Sequence, residues 1–141
     1  MPQKYELLDH TADVAIRVQG ADWGQLLASI AWAVVDLMAS AHLVAPRAER
    51  ALTVEAASAE ELIVAWANEI LYRFETERLL LPHVEIEAAS PTKVRARARG
   101  ETLEPTRHQW KGELKSATYH DLVLRRADDG AGFSVDLVLD V

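Results

Sequence analysis

The feature that most constrains this chain is its hydrophobic period, which changes from two to about 3.6 residues and back, twice over, in the first half. Val14, Ile16 and Val18 alternate with Ala15, Arg17 and Gln19, the pattern of a half-buried strand that Gly20 ends. Trp23, Leu26, Leu27, Ile30, Val34, Leu37 and Met38 then recur every three or four residues, which predicts an amphipathic helix over about 22–40. Asp22 caps it, with Gln25 as the reciprocal partner. After a break at Ala45-Pro46, Leu52, Val54 and Ala56 alternate with Thr53 and Glu55 as a short strand. Ser58-Ala59-Glu60-Glu61 is a capping box. Leu62, Trp66, Ile70 and Phe74 follow in a second helix running to about Arg78, and Leu79 to Pro82 closes it.

The remainder reads as strands. Val84 and Ile86 pair in pattern with Val94 and Ala96 around a turn near Ser90-Pro91. An apolar stretch from Tyr119 to Leu124 precedes the turn signal Asp128-Asp129-Gly130. Phe133, Val135, Leu137 and Leu139 then alternate with their neighbours to the last residue. The expected fold is α+β: two amphipathic helices packed on a mostly antiparallel β-sheet, in a single two-layer domain over residues 1–141.

A 141-residue domain buries roughly two-thirds of its unfolded surface and needs no covalent staple. The absence of cysteine removes disulfides, thiolate metal sites and thiol nucleophiles. No apolar run approaches the ~20 residues of a membrane span, and Met1 to Glu6 lack the apolar core of a signal peptide. The expectation is a cytoplasmic protein with no membrane partner. With 15 Lys and Arg against 22 Asp and Glu, the net charge of −7 argues against a chain that grips phosphate backbones over a wide area. No phosphate-cradling glycine loop, dinucleotide fingerprint or serine elbow is present. Chemistry, if any, rests on carboxylates, histidines or a metal.

Four clusters are candidates, each with two readings. Asp9-His10-Thr11-Ala12-Asp13 is either turn chemistry, in which Asp and Thr bond nearby backbone, or a group of inward-aimed ligands. Asp140 beside the α-carboxylate of Val141 is either a solvated chain end or part of an oxygen site. Leu137 and Leu139 favour a strand docked almost to its last residue. Convergence of Asp13, Asp140 and the Val141 carboxylate would suit Ca²⁺, Mg²⁺ or Mn²⁺ rather than a soft metal. Lys93, Arg95, Arg97 and Arg99 on one strand face are either an RNA-binding stripe or an ordinary solvated face. Folding back around residue 90 sets Glu85 against Arg95 and Glu87 against Lys93, which leaves Arg97 and Arg99 uncompensated. Finally, Arg107-His108, Glu113, Lys115, Tyr119 and His120 form a polar connection that is either a surface crossover or functional. Trp110 in that connection is the tryptophan expected to meet a partner.

Tyr5-Glu6-Leu7-Leu8-Asp9-His10-Thr11-Ala12-Asp13-Val14 resembles the opening signature of the archease family. The resemblance continues in Asn68 to Glu77, in Gly100-Glu101, in Pro105 with Arg107-His108, in Glu113 to His120, and in Val138-Leu139-Asp140-Val141. These segments fall in family order across essentially the whole chain. The departures are Ser116-Ala117, where the motif more often reads Ala-Val, and Arg78, where Gly is frequent. The resemblance implies a non-catalytic accessory protein of RtcB-type RNA ligases, active in tRNA splicing and RNA repair. Such a protein promotes guanylylation of the ligase and its multiple turnover, and contacts RNA only through the ligase. It also implies a divalent-cation site, Ca²⁺ first among the candidates, on Asp13, Asp140 and the Val141 carboxylate. Lys115 falls on a lysine tied to activity, with Asp9, His10 and His120 as further partner-facing groups. Two alternatives stand beside this reading. One is a metal-dependent phosphoester hydrolase using Asp9, His10 and His120 as acid–base groups; the other is a chaperone or specificity modulator of a tRNA methyltransferase.

Overall fold

The strands separate into two sheets held together by the helices. A computed structural model describes residues 5–8, 13–126 and 132–141. In chain order the elements are β1 (Tyr5–Leu8), β2 (Val14–Gly20), α1 (Trp23–Met38), a 3₁₀ turn (Ala41–Leu43), β3 (Ala48–Glu55), α2 (Ala59–Glu77), β4 (Leu79–Ser90), β5 (Lys93–Thr102), β6 (Ser116–Arg126) and β7 (Phe133–Asp140). One sheet has four strands in the order β1-β2-β7-β6, the other three in the order β3-β5-β4. All five described strand pairings are antiparallel. The α+β class with two helices on antiparallel sheet is therefore as expected. The turn anticipated at Asp128-Asp129-Gly130 lies outside the described residues.

Both helices start where their caps place them. Asp22 Oδ1 accepts from the Gln25 N–H at 2.8 Å, and Ser58 Oγ accepts from the Glu61 N–H at 3.1 Å. Of the sixteen residues of α1 only Gln25 is exposed. The helix packs against β2, β4 and α2, so it is enclosed on most sides rather than along one stripe. In contrast, α2 keeps a wet face at Glu60, Glu61, Tyr72, Glu75, Thr76 and Glu77 while Trp66, Ile70 and Phe74 are buried. Trp66 Nε1 donates to the Leu27 carbonyl at 2.7 Å, which joins the helices by a buried polar contact. No helix of the described residues is long and apolar enough to cross a membrane.

Three local expectations are corrected. Leu79 to Pro82 does not merely close α2; it begins β4, and all four residues are buried. Arg78 is the switch between them, in the left-handed conformation with φ 54°, a position that glycine adopts at no steric cost. Its guanidinium lies 4.4 Å from the centre of the Phe74 ring and pairs with Glu113 at 3.5 Å. The β4–β5 register is also shifted from the one the sequence suggests. Ser90 faces Lys93 and Glu85 faces Arg97, with irregularities at Leu80/His83 and Ile86/Ala88. The first bulge sets Leu81 and Pro82 opposite Gly100, where a side chain would have its Cβ 1.6 Å from the Leu80 carbonyl oxygen.

The third correction concerns the basic strand. Arg97 bonds Glu87 at 2.9 Å and Glu49 at 2.8 Å, and Arg99 bonds Glu49 at 2.9 Å and Glu85 at 3.3 Å. Neither is uncompensated, and the stripe is one row of a mixed-charge sheet face. Trp110 has a place in the core that the sequence reading did not give it. It is half-buried and stacks on Phe74 with ring centres 5.3 Å apart, so one side of the ring packs on the core and the rest stays accessible.

Candidate functional site

Three strand ends meet at one margin of the four-stranded sheet. In the antiparallel pairing of β2 with β7, Val14 faces Leu139 as the last pair, and Asp13 and Asp140 are the residues next to that pair on the two chain segments. On the other side of β7, Ser116 faces Asp140, and the Lys115 N–H donates to the Asp140 carbonyl at 2.9 Å. The chain end does not fray away from this margin: Leu137 and Leu139 are fully buried and Val138 is 2% exposed. Asp13 and Asp140 are half-buried, Lys115 and Val141 exposed. Residues from opposite ends of the sequence are thus brought together by strand register alone.

The electrostatics of this margin are unbalanced. Like charges brought close on neighbouring strands destabilise the pair. Among the described residues no hydrogen-bond donor or cation pairs with the side chain of Asp13 or Asp140, and none with the amine of Lys115. Glu113, the acid nearest Lys115 in sequence, is engaged by Arg78. Two hard carboxylates with open lone pairs suit an alkaline-earth cation. No three His, Asp or Glu side chains among the described residues form a metal-holding group, so a third ligand here would come from outside the side-chain set.

The other anticipated site residues are placed differently. Asp9 and His10 lie outside the described residues. His120 is exposed in an irregular stretch of β6 between the pairs Thr118–Val138 and Val123–Asp136, 3.2 Å from Asp121. It is therefore several residues along the strand from Asp140. The polar connection after β5 divides into two parts. His108 is completely buried; its Nδ1 accepts from the Glu104 N–H at 2.9 Å, and its Nε2 meets Glu101 Oε1 at 2.9 Å. Arg107 adds a two-pronged bond to Glu101 at 2.7 and 3.0 Å, and the Ala45 N–H adds another at 2.8 Å. These bonds, Arg107 first, hold the Glu101 carboxyl well below the usual carboxylate range despite its burial. The cluster staples the connection to the segment before β3 and leaves Lys115 at the far end of that connection.

Sequence reasoning missed Asn68. Its Oδ1 accepts from the Ala117 N–H at 2.7 Å and its Nδ2 donates to the Ala117 carbonyl at 3.3 Å. Asn68 entered the sequence reading only as the first residue of the family-like segment Asn68 to Glu77, with no role assigned, and the one further signal was a polar residue between the apolar Ala67 and Ile70 of the helix.

A two-sheet α+β domain with an acidic strand-end margin describes a class that the comparisons make specific. Residues 5–141 match the model of the Archease protein family (MTH1598/TM1083), and the chain belongs to that family. The protein archease of Methanopyrus kandleri is 35% identical over 94% of this chain and 99% of its own. That of Thermococcus kodakarensis is 30% identical over 91% of this chain and 92% of its own. The solution structure of protein 1598 of Methanobacterium thermoautotrophicum superposes with a TM-score of 0.75 over 97% of this chain and 98% of that one, at 23% identity. A Thermotoga maritima crystal structure, described as an archease and possible chaperone, gives a TM-score of 0.67 over 95% and 94% of the two chains, at 17% identity. Those two likenesses bear on the fold.

Proposed function

We propose that this protein is an accessory activator of an RtcB-type RNA ligase, acting in tRNA splicing and RNA repair without independent turnover. The observation that carries the reading is the convergence of Asp13, Asp140 and Lys115 at one sheet margin in a member of the archease family. In this reading Asp13, Asp140 and the α-carboxylate of Val141 hold a divalent cation, Ca²⁺ in the first instance. Bound there, the cation supplies positive charge that offsets the repulsion between the carboxylates and can be presented to a phosphate group. Lys115 supplies a second positive charge on a flexible stem beside it. Stabilising the charge that develops on a transferring nucleotidyl phosphate is the help a second protein can give to guanylylation of the ligase. The RNA stays with the ligase, in keeping with the paired, mixed-charge character of the Arg97–Arg99 face.

The test is a ligation time course with ligase, GTP and divalent cation, with and without this protein. Faster guanylylation and repeated turnover are expected in its presence; identical courses would overturn the reading. Turnover of phosphoesters by the protein alone would favour a hydrolase instead. A paired comparison addresses Val141. An extension beyond it converts the carboxylate to an amide and should weaken Ca²⁺ binding, whereas an extension before Met1 should not.

A further inference from the structure

The margin that carries Lys115 is the start of β6, and β6 is an edge strand of its sheet. Edge-strand ends tend to fray, because one row of their backbone groups has no strand partner. Here that row is answered by a side chain. The Asn68 carboxamide accepts from the Ala117 N–H at 2.7 Å and donates to the Ala117 carbonyl at 3.3 Å, the two bonds a neighbouring strand would have made. On the inner side of the same strand, Lys115 donates its N–H to the Asp140 carbonyl at 2.9 Å. Leu114 and Ala117 are each 5% exposed and anchor the segment on both sides of Lys115. The backbone at Lys115 is thereby fixed while its side chain remains in solvent.

We propose that Asn68 is the positioning residue for Lys115. By pairing the open edge of β6 at Ala117, it holds the origin of the lysine stem in register with Asp140. This rests on the reading of Lys115 and Asp140 given above. The choice of asparagine follows from the two bonds. Serine and threonine are too short to span both groups, and aspartate has no donor for the Ala117 carbonyl. Glutamine adds a methylene and a torsion.

The experiment is a mutant cycle on ligase guanylylation: wild type, Asn68→Ala, Lys115→Ala and the double variant, with Ca²⁺ affinity and the exchange rate of the Lys115 amide measured on each Asn68 form. Asn68→Ala should slow activation about tenfold, as expected when a reacting group is displaced by a fraction of an ångström to an ångström. Lys115→Ala should slow it further, and the double variant should equal Lys115→Ala alone, because Asn68 acts through the lysine. Ca²⁺ affinity should stay at the wild-type value, and the Lys115 amide should exchange faster. A general loss of structure would instead lower Ca²⁺ affinity and add to the Lys115 loss; either result overturns the proposal. Asn68→Asp keeps the size and one bond, and should recover part of the amide protection. Wild-type activation by Asn68→Ala would overturn the positioning role alone, whereas wild-type activation by Lys115→Ala would overturn the functional reading on which it rests.

Discussion

Asp136 and Asp140 lie on one face of β7, four residues apart, and their surroundings differ sharply. Asp136 is held by two arginines: Arg17, directly across the β2 pairing, at 2.7 and 3.0 Å, and Arg125 on β6 at 3.1 and 2.9 Å. Those bonds, Arg17 first and Arg125 next, hold its carboxyl well below the usual range. Beside Asp140 the β2 pairing ends at Val14, opposite Leu139, with Asp13 the next residue in the chain, and the β6 partner is Ser116. The same strand therefore neutralises one acid internally and sets the other near a second acid. The first arrangement is a finished structural bond, while the second is open to a ligand. Position within the sheet separates them: both are aspartates on one strand, but the β6–β7 register shifts between Thr118 and Val123, so the two acids meet different stretches of β6.

The largest effect should come from removing Asp140. Asp140→Ala is expected to weaken Ca²⁺ binding by about a hundredfold or more, because affinity in such sites follows the count of charged ligands, with the metal-free melting temperature unchanged or slightly raised. Calorimetric titration with Ca²⁺ measures this, and wild-type affinity would erase the distinction between the two acids. Asp136→Ala should do the reverse. It leaves Arg17, with Glu6 as its remaining partner at 3.6 Å, beside Arg125 and should cost about 1 kcal/mol in urea unfolding, because both guanidinium groups stay partly in solvent, with Ca²⁺ affinity untouched.

A smaller and more pointed change is Asp13→Arg, which copies the Arg17–Asp136 pair at the open end. The expected result is a metal-free protein more stable by about 0.5–1 kcal/mol, no Ca²⁺ response in a thermal melt, and no activation of the ligase. Stabilisation with the Ca²⁺ response intact would show that the cation sits elsewhere.

The mildest test uses pH. A carboxyl whose folded pKa is depressed contributes stability that is complete above its unfolded pKa of about 3.9 and is lost as pH falls through the folded value. Asp136→Asn should therefore melt below wild type at neutral pH, and the gap should narrow steadily below about pH 4. A gap of constant width would mean that packing, rather than the ion pairs, links Asp136 to its arginines.

What the sequence revealed about these regions was uneven. The helices were legible because caps and a 3.6-residue period are local signals, and Asp22 and Ser58 act where they were read. The pairing of β2 with β7, which brings Asp13 near Asp140, was not legible from the residues: alternation fixes which residues share a face of one strand, not which strands are neighbours, and only the family resemblance joined the two acids. Nor was the start of β4. Leu79 to Pro82 are all buried, so they show no alternation, and a proline normally argues against a strand. The Glu101–Arg107–His108 cluster was equally hidden, because its members meet through a turn whose geometry no periodicity encodes. Asn68 was missed for a related reason: the value of its carboxamide lies in a partner 49 residues away.

The close approach of the Leu80 carbonyl to Gly100 has an evolutionary consequence. Any side chain at position 100 would collide with backbone, which cannot rotate aside, so the bulge around Leu81 and Pro82 would have to be rebuilt. In a saturation library scored by abundance, position 100 should thus accept glycine alone. Positions 13 and 140 should accept many residues in that screen and few in one scored by ligase activation. Gly100 would then mark the boundary between what descendants of this chain must keep in order to fold and what they must keep in order to act.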